Sequence, residues 1–374
     1  MSTGRPPSVV IAAGGTGGHI FPGLAVADAL VRARPDVQVV FVGTSRGLEG
    51  RLIPEAGHRL ELVDMVPFAG KERLRIPVAL PRSVWQCGRV LRREHSDAAV
   101  GMGGYAGIPL VMAARQSRLP ALIHESGAVA GRANRLAARF TPNIALAFDE
   151  AAASFPRSAT RTVGMPLSRQ MAGFDRAALR EPARASLDLA PGVAMVLVNG
   201  GSQGSLRLNQ AAVALAGRWR DRSDVHLVLK AGRTHADEVE RQLKENGGAA
   251  VARCVSFFER MDYAYAAADL TVCRAGAGTV AELAVTGLPA ILVPYPYAPD
   301  DHQAVNASVL VAPGGALMVR DGDATADNLG PMIEALLDDP SRLATMSEAT
   351  RGVARPHAAD HLAAWILELA GAGG

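Results

Sequence analysis

The feature that most constrains this chain is a short β-branched run stopped abruptly by glycines. Ser8-Val9-Val10-Ile11-Ala12-Ala13 runs into Gly14-Gly15-Thr16-Gly17-Gly18-His19, after which Leu24, Val26, Ala27, Leu30 and Val31 recur at helical spacing. Residues 37–43 then predict a second strand. Strand, tight turn, helix and strand make one βαβ unit of a parallel sheet. The pattern starts again halfway along: residues 193–198 predict a strand, 199–204 a glycine turn, 206–215 a helix and 225–229 the next strand. Between the halves, residues 160–191 are rich in Pro, Gly, Ser and Arg and read as a linker. The expectation is two doubly wound α/β domains facing each other across a cleft.

Composition narrows the class. At 374 residues, 49% hydrophobic and 20% charged, the chain can bury a sizeable core, which excludes wholesale disorder. A formal charge of +3 argues against a polycation that coats nucleic acid. The cysteines Cys87, Cys254 and Cys273 form no CxxC pair, so neither a disulfide framework nor a structural zinc site is expected, and a reducing compartment fits. The apolar run at 9–13 is too short for a signal peptide, and no stretch reaches the roughly 18 apolar residues that span a bilayer. The expected protein is intracellular and meets a membrane only from its surface.

Parallel sheets place ligands beyond the carboxyl ends of their strands, where helix N-termini offer free N–H groups to phosphate. Neither glycine turn has the G-x-G-x-x-G register, Gly43-Thr44-Ser45 lacks the acid of a dinucleotide site, and no P-loop is present. Each turn taken alone equally suits a simple strand-to-helix connection. A third cluster is more informative: residues 270–274 predict a strand, followed by Ala275-Gly276-Ala277-Gly278-Thr279-Val280-Ala281-Glu282 and an apolar helix. Thr279 and Glu282 have the spacing of a capping box. The alternative is a carboxylate that accepts both hydroxyls of a ribose while the preceding amides hold a diphosphate. A further buried strand at 287–294 leads to Asp300-Asp301-His302-Gln303, polar groups well placed to read a sugar.

These residues, with GGTGGHIFPGLAVA, GMGGY at 101–105, His124-Glu125, GGSQG with Asn209, and Arg274, occur in order over most of the chain. The sequence resembles the MurG family of UDP-N-acetylglucosamine transferases, which complete the lipid-linked peptidoglycan precursor. The resemblance implies a glycosyltransferase-B architecture: an acceptor- and membrane-binding domain at 1–165, a UDP-sugar domain at 166–350, and a terminal helix at 351–374 returning to the first, formed by residues 356–369. It implies UDP-GlcNAc and undecaprenyl-linked muramyl-pentapeptide as substrates, an inverting transfer without cofactor or metal, and a place on the cytoplasmic face of the plasma membrane. Carried over by position, Ser202 and Thr16-Gly17-Gly18 would lie near the phosphates and Phe258 beside the uracil through its backbone. Ala277, Gly278 and Thr279 would hold the diphosphate, Glu282 the ribose, and Gln303 with Asn134 the sugar. The chain departs from the family at Gly127, usually Asn, and at Ser168, usually Arg, both of which serve the donor. Those departures favour, as the nearest rival, a transferase of the same fold acting on a soluble molecule; an epimerase and a non-catalytic nucleotide-sugar sensor are further alternatives.

His19 closes the first glycine turn, and an ordinary imidazole pKa near 6.5 suits a general base, though a histidine here can also simply hydrogen-bond its loop. Glu125 is the rival base or a partner that orients His124. A literal D-x-D at Asp321-Gly322-Asp323 sits before a helix expected near Ala324, where Asp323 reads as an N-cap rather than a metal ligand. From Lys71 to Glu94 the chain carries seven basic and two acidic residues, a local +5. On a helix, Leu80, Val84, Cys87 and Leu91 share one face while Arg82, Trp85, Arg89, Arg92 and Arg93 fall opposite. That outer face is either simply solvated or docks on anionic headgroups; the tryptophan favours docking, with Arg82, Trp85, Arg89 and Arg93 as the membrane-surface residues.

Overall fold

A computed structural model describes residues 5–66, 70–156 and 158–372, with the side chains of residues 70, 71, 73 and 372 outside that description. The chain divides into two units, residues 1–169 with 355–374, and residues 170–354.

The first unit runs β1 (Ser8–Ala12), α1 (Gly17–Ala33), β2 (Gln38–Gly43), α2 (Glu49–Glu55), β3 (Arg59–Leu62), α3 (Ile76–Arg93), β4 (Ala98–Gly101), α4 (Gly107–Gln116), β5 (Ala121–Glu125), α5 (Arg132–Ala137), β6 (Asn143–Leu146) and β7 (Ala159–Thr162). Its seven strands are parallel in the order β3-β2-β1-β4-β5-β6-β7. β1 is buried throughout because both faces are covered. Its odd and even side chains part company: Val9 and Ile11 join the α1 side, Val10 and Ala12 the α3 and α4 side.

The second unit runs α6 (Arg169–Ala172), α7 (Arg176–Ser186), β8 (Ala194–Asn199), α8 (Leu206–Arg218), β9 (Val225–Lys230), α9 (Ala236–Glu245), β10 (Ala252–Val255), α10 (Met261–Ala267), β11 (Leu270–Cys273), α11 (Ala277–Thr286), β12 (Ala290–Leu292), α12 (His302–Val311), β13 (Ala316–Met318), α13 (Ala326–Leu337) and α14 (Pro340–Arg351). Six parallel strands lie in the order β10-β9-β8-β11-β12-β13. The final helix, α15 (Ala358–Ala372), packs on α1, burying Leu362, Trp365 and Ile366 in the same core as Val9 and Ile11.

In both sheets the order reverses beside the first strand of the unit. The switch points therefore fall between β1 and β4 and between β8 and β11, and the loops that leave those strands are where ligands bind.

Several local expectations need correction. The 160–191 stretch is not a loose linker: it carries the end of β7 and the helices α6 and α7, and Asp175 caps α7 by accepting from the Ala178 N–H. Arg176 and Arg180 of α7 reach the carbonyls at the end of α10 and the carboxylate of Asp269. The returning helix begins at Ala358, so Pro356 precedes it rather than occupying its first turn. Asp323 does not cap α13; the Thr325 hydroxyl does, accepting from the Asn328 N–H. Thr279 lies inside α11, whose N-cap is Gly276, and no capping box forms.

Candidate active site

At the first switch point a carboxylate pins the glycine turn. Glu49, wholly buried at the start of α2, accepts the Gly15 N–H at 3.0 Å through Oε2. Its Oε1 accepts the Thr44 N–H at 3.0 Å and the Thr44 hydroxyl at 2.7 Å. Gly15 sits at φ +90°, a conformation that side chains resist, so the turn needs its glycine. Thr16 is extended and its hydroxyl caps nothing, while Gly17 and Gly18 open α1 with the unpaired N–H groups of a first turn.

His19 follows in that turn and is seated by the GMGGY loop. A Cβ on Gly103, at φ +93°, would stand 2.8 Å from the imidazole, and one on Gly104 would meet it at 3.3 Å. The two glycines thus make room for the ring. Burial lowers the His19 pKa from 6.5, opposed in part by the Met102 carbonyl, and Nδ1 is enclosed without a hydrogen-bond partner. A neutral imidazole near pH 7 is the outcome.

His124 and Glu125 end β5, but neither is poised as a base. His124 donates Nε2–H to the Gly164 carbonyl at 3.0 Å, the Ser126 hydroxyl reaches Nδ1 at 3.3 Å, and burial pushes its pKa down to about 4. Glu125 is saturated. Oε1 accepts the Gly127 N–H at 2.9 Å, and Oε2 accepts the Gly131 N–H at 3.0 Å and the Asn134 amide at 2.9 Å. Burial raises its pKa against these bonds, and the carboxylate serves to fold the 126–131 loop. The His124 ring bonds Gly164 and Ser126 instead of Glu125, so the expected orienting partnership is not formed. The Asn134 amide also reaches the His124 carbonyl at 3.0 Å, so only its Oδ1 is left for a ligand.

The second switch point gathers the residues expected to hold the donor. Ser202 is exposed on the turn after β8, where the Gly201 N–H donates to Asn199 Oδ1 at 3.0 Å. The turn packs so closely on the next one that a Cβ on Gly204 would come within 2.1 Å of the Ala231 carbonyl. Asn209 donates to that carbonyl at 3.0 Å. Ser205 caps α8, and Arg274 reaches the same hydroxyl at 2.7 Å while pairing with Asp321 at 2.6 Å. The D-x-D aspartate is therefore engaged by arginine; among the described residues no group of three acidic, His or Cys side chains is arranged to hold a metal.

Ala277, Gly278 and Thr279 form the first turn of α11 behind Gly276, a cap with no side chain to use up their N–H groups. One turn on, Glu282 is half-buried and accepts the Tyr265 hydroxyl at 2.7 Å through Oε2. Burial raises its pKa, partly offset by Tyr265 and by Lys230. The Gln303 carbonyl accepts the Tyr295 N–H at 2.9 Å, which leaves its amide free to donate. Phe258 lines an open cavity of about 530 Å³ with Arg253 and Tyr263. Its neighbour Phe257 is exposed beneath Lys230 and Arg233, 5.8 and 5.3 Å from the ring centre. The sequence reading missed Glu49 and Tyr265, whose partners Gly15 and Glu282 are distant along the chain, and Asn199, whose bond to Gly201 is local.

On α3, Val84, Cys87 and Leu91 are buried and Trp85 is exposed. The outer face holds more apolar surface and less free charge than expected. Leu74 and Val78 are 78% and 74% exposed and continue the Trp85 stripe. Arg82 pairs with Asp64 at 2.6 Å, and Arg93 with Glu61 and Glu94 at 2.7 and 2.8 Å. Arg89 lies over the Trp85 ring at 4.9 Å. The Lys71 side chain lies outside the described residues. Among those described, no helix is long and apolar enough to cross a membrane.

Comparison with known proteins agrees with this geometry. Residues 9–146 match the glycosyltransferase family 28 N-terminal domain and residues 195–362 its C-terminal domain. A UDP-N-acetylglucosamine–N-acetylmuramyl-(pentapeptide) pyrophosphoryl-undecaprenol N-acetylglucosamine transferase of Saccharopolyspora erythraea is 43% identical over 98% of this chain and 95% of its own. One of the same name from Nocardioides is 40% identical over 96% of this chain and 98% of its own. The crystal structure of Acinetobacter baumannii MurG superposes with a TM-score of 0.77 at 29% identity, covering 97% of this chain and all, 100%, of that one. A UDP-N-acetylglucosamine 2-epimerase, 12% identical at a TM-score of 0.67, shares the fold alone. With two parallel-sheet units, both domain matches and full-length identity, the chain belongs to glycosyltransferase family 28, among the UDP-N-acetylglucosamine–N-acetylmuramyl-(pentapeptide) pyrophosphoryl-undecaprenol N-acetylglucosamine transferases.

Proposed function

We propose that the chain carries out the reaction for which its family is named, moving GlcNAc from UDP-GlcNAc to the 4-hydroxyl of the muramyl sugar of undecaprenyl-diphosphate-linked pentapeptide. The arrangement that supports this most directly is a neutral imidazole at one switch point and, at the other, a carboxylate beside a helix N-terminus with free N–H groups. In this reading His19 takes the proton of the acceptor hydroxyl as its oxygen attacks the anomeric carbon. The bond from that carbon to the diphosphate breaks with inversion, and its electron pair stays on the leaving phosphate oxygen. The first turn of α11 and the 200–204 turn, with Ser202, hold the developing charge, as do Thr16, Gly17 and Gly18. Glu282 accepts the ribose hydroxyls, Phe258 lies beside the uracil, and Gln303 and Asn134 read the sugar.

The test is release of UDP from UDP-GlcNAc with a lipid-linked muramyl acceptor, a lipid-free analogue, or neither. Release that needs a muramyl acceptor supports the transfer. Equal release without acceptor, or none at all, overturns it. Activity confined to an unrelated soluble acceptor would favour the paralogue that Gly127 and Ser168 suggest.

We further propose that the protein works docked on the cytoplasmic face of the plasma membrane through α3. Leu74, Val78 and Trp85 would enter the headgroup boundary, with Arg82, Arg89 and Arg93 among anionic lipids. Flotation with liposomes that contain or lack anionic lipid tests this. Recovery that is equal with and without anionic lipid, for both wild type and an Arg82/Arg89→Glu variant, would remove the basic face from the account.

A further inference from the structure

We propose that Tyr265 and Asn199 are positioning residues for the donor, tying the glycine turn after β8 to the Glu282 carboxylate so that one carboxylate oxygen is held ready for the ribose hydroxyls. The proposal rests on Glu282 as the ribose acceptor. Tyr265, on α10, is 1% exposed, and its hydroxyl donates to Glu282 Oε2 at 2.7 Å. Asn199, the last residue of β8, is 3% exposed. Its Oδ1 accepts the Gly201 N–H at 3.0 Å, and its side chain faces the Tyr265 hydroxyl. A path of polar contacts, hydrogen-bonded at both ends, therefore runs from the backbone of the turn, through two buried polar side chains, to the carboxylate.

Folding alone does not call for this path. Replacing both partners of a buried hydrogen bond by apolar groups of the same shape is nearly neutral, so a buried phenol and amide gain the fold little over Phe and Leu. α11 does not use Glu282 as a cap either, because Gly276 starts that helix. What the path supplies is an acceptor fixed in place, with the Tyr265 bond favouring its ionised form. A ribose presents two neighbouring hydroxyl donors, and only an ionised carboxylate offers lone pairs without a competing proton. Burial favours the protonated form of Glu282, and Tyr265 and Lys230 oppose it; the Cys273 thiol is the remaining titratable group that faces the carboxylate. Because Tyr265 takes Oε2, Oε1 is the oxygen left to the ribose. The tie to Gly201 places that oxygen in fixed register with the turn expected to carry the phosphates.

The experiment compares wild type, Tyr265→Phe, Asn199→Ala and Glu282→Gln, measuring kcat and KM with UDP-GlcNAc and with its 2′-deoxyuridine counterpart, and the melting temperature of each. Tyr265→Phe is expected to raise KM for UDP-GlcNAc about tenfold, the scale of one hydrogen bond to a charged group, with kcat within about twofold. The preference of wild type for the ribo over the deoxy donor should fall by a similar factor while the melting temperature stays near wild type. Asn199→Ala should show the same pattern more weakly, and it carries the test if Tyr265→Phe does not fold. If Glu282→Gln loses the ribo preference and the other two variants keep it, this inference falls and the ribose reading stands. If all three keep it, the ribose reading falls as well. A loss of kcat at unchanged KM in Tyr265→Phe also overturns the positioning role.

Discussion

His19 and Glu125 were the two side chains expected to take a proton, and their surroundings differ. His19 has an enclosed Nδ1 without a partner and a pKa held below 6.5, whereas the Glu125 oxygens bond Gly127, Gly131 and Asn134. His19→Ala should lower kcat by about 10²- to 10⁴-fold with little change in KM for the donor. The acid limb of the wild-type pH–rate profile should fall below the ordinary imidazole value, since the depressed pKa keeps the base unprotonated to lower pH; a limb above 6.5 would contradict the assignment. Glu125→Gln puts an N–H₂ against N–H donors and should cost about 2–4 kcal/mol in denaturant unfolding. Its residual activity should keep the wild-type acid limb, which a lost base could not. The seat of His19 was legible in the sequence, because the glycines of 14–18 and 103–104 mark the turns that enclose it. The bonds of Glu125 were not legible, because Gly131 and Asn134 meet it only once β5 and α5 are in place.

At the scale of single elements, hydrophobic period located the first strands and helices of both units, and cap spacing was the weaker guide. Thr279 and Glu282 have capping-box spacing inside α11, yet the cap is Gly276 and the glutamate turns to Tyr265, a residue of another helix. On α3 the alternation of faces was visible, but the acids that neutralise it were not, because Glu61 and Asp64 lie in and just after β3. That pairing makes a distinction measurable by liposome flotation. Val78→Ser with Trp85→Ser should cut recovery severalfold, by the loss of roughly 0.8 kcal/mol per CH₂ withdrawn from the boundary. Arg93→Glu should change recovery less than Arg89→Glu, because Arg93 already spends its charge on Glu61 and Glu94.

For the whole molecule, the doubled βαβ pattern was plain in the glycine turns, and the passage of the chain between units was not. Its exit and return meet in the first unit at Gly164, where φ is +98° and a Cβ would press on Arg355 and Ala358 at 2.6 and 3.0 Å. His124 holds that point through the Gly164 carbonyl. Its pKa of about 4 against 6.5 when unfolded means that the unfolded chain binds the proton more readily. The stability it confers is complete above pH 6.5 and fades as pH falls toward 4, by on the order of 3 kcal/mol. Chemical unfolding across that range should show a shallower decline for His124→Gln than for wild type. The return of α15 also sets an order of assembly on the ribosome. Residues 170–354 form one continuous unit, complete as soon as Ala354 has emerged. The unit begun first lacks Leu362, Trp365 and Ile366 until residues beyond the second unit are made. The half of the protein begun first is thus the last that can close, and a ribosome stalled before Leu362 leaves α1 and β4 without the cover of α15.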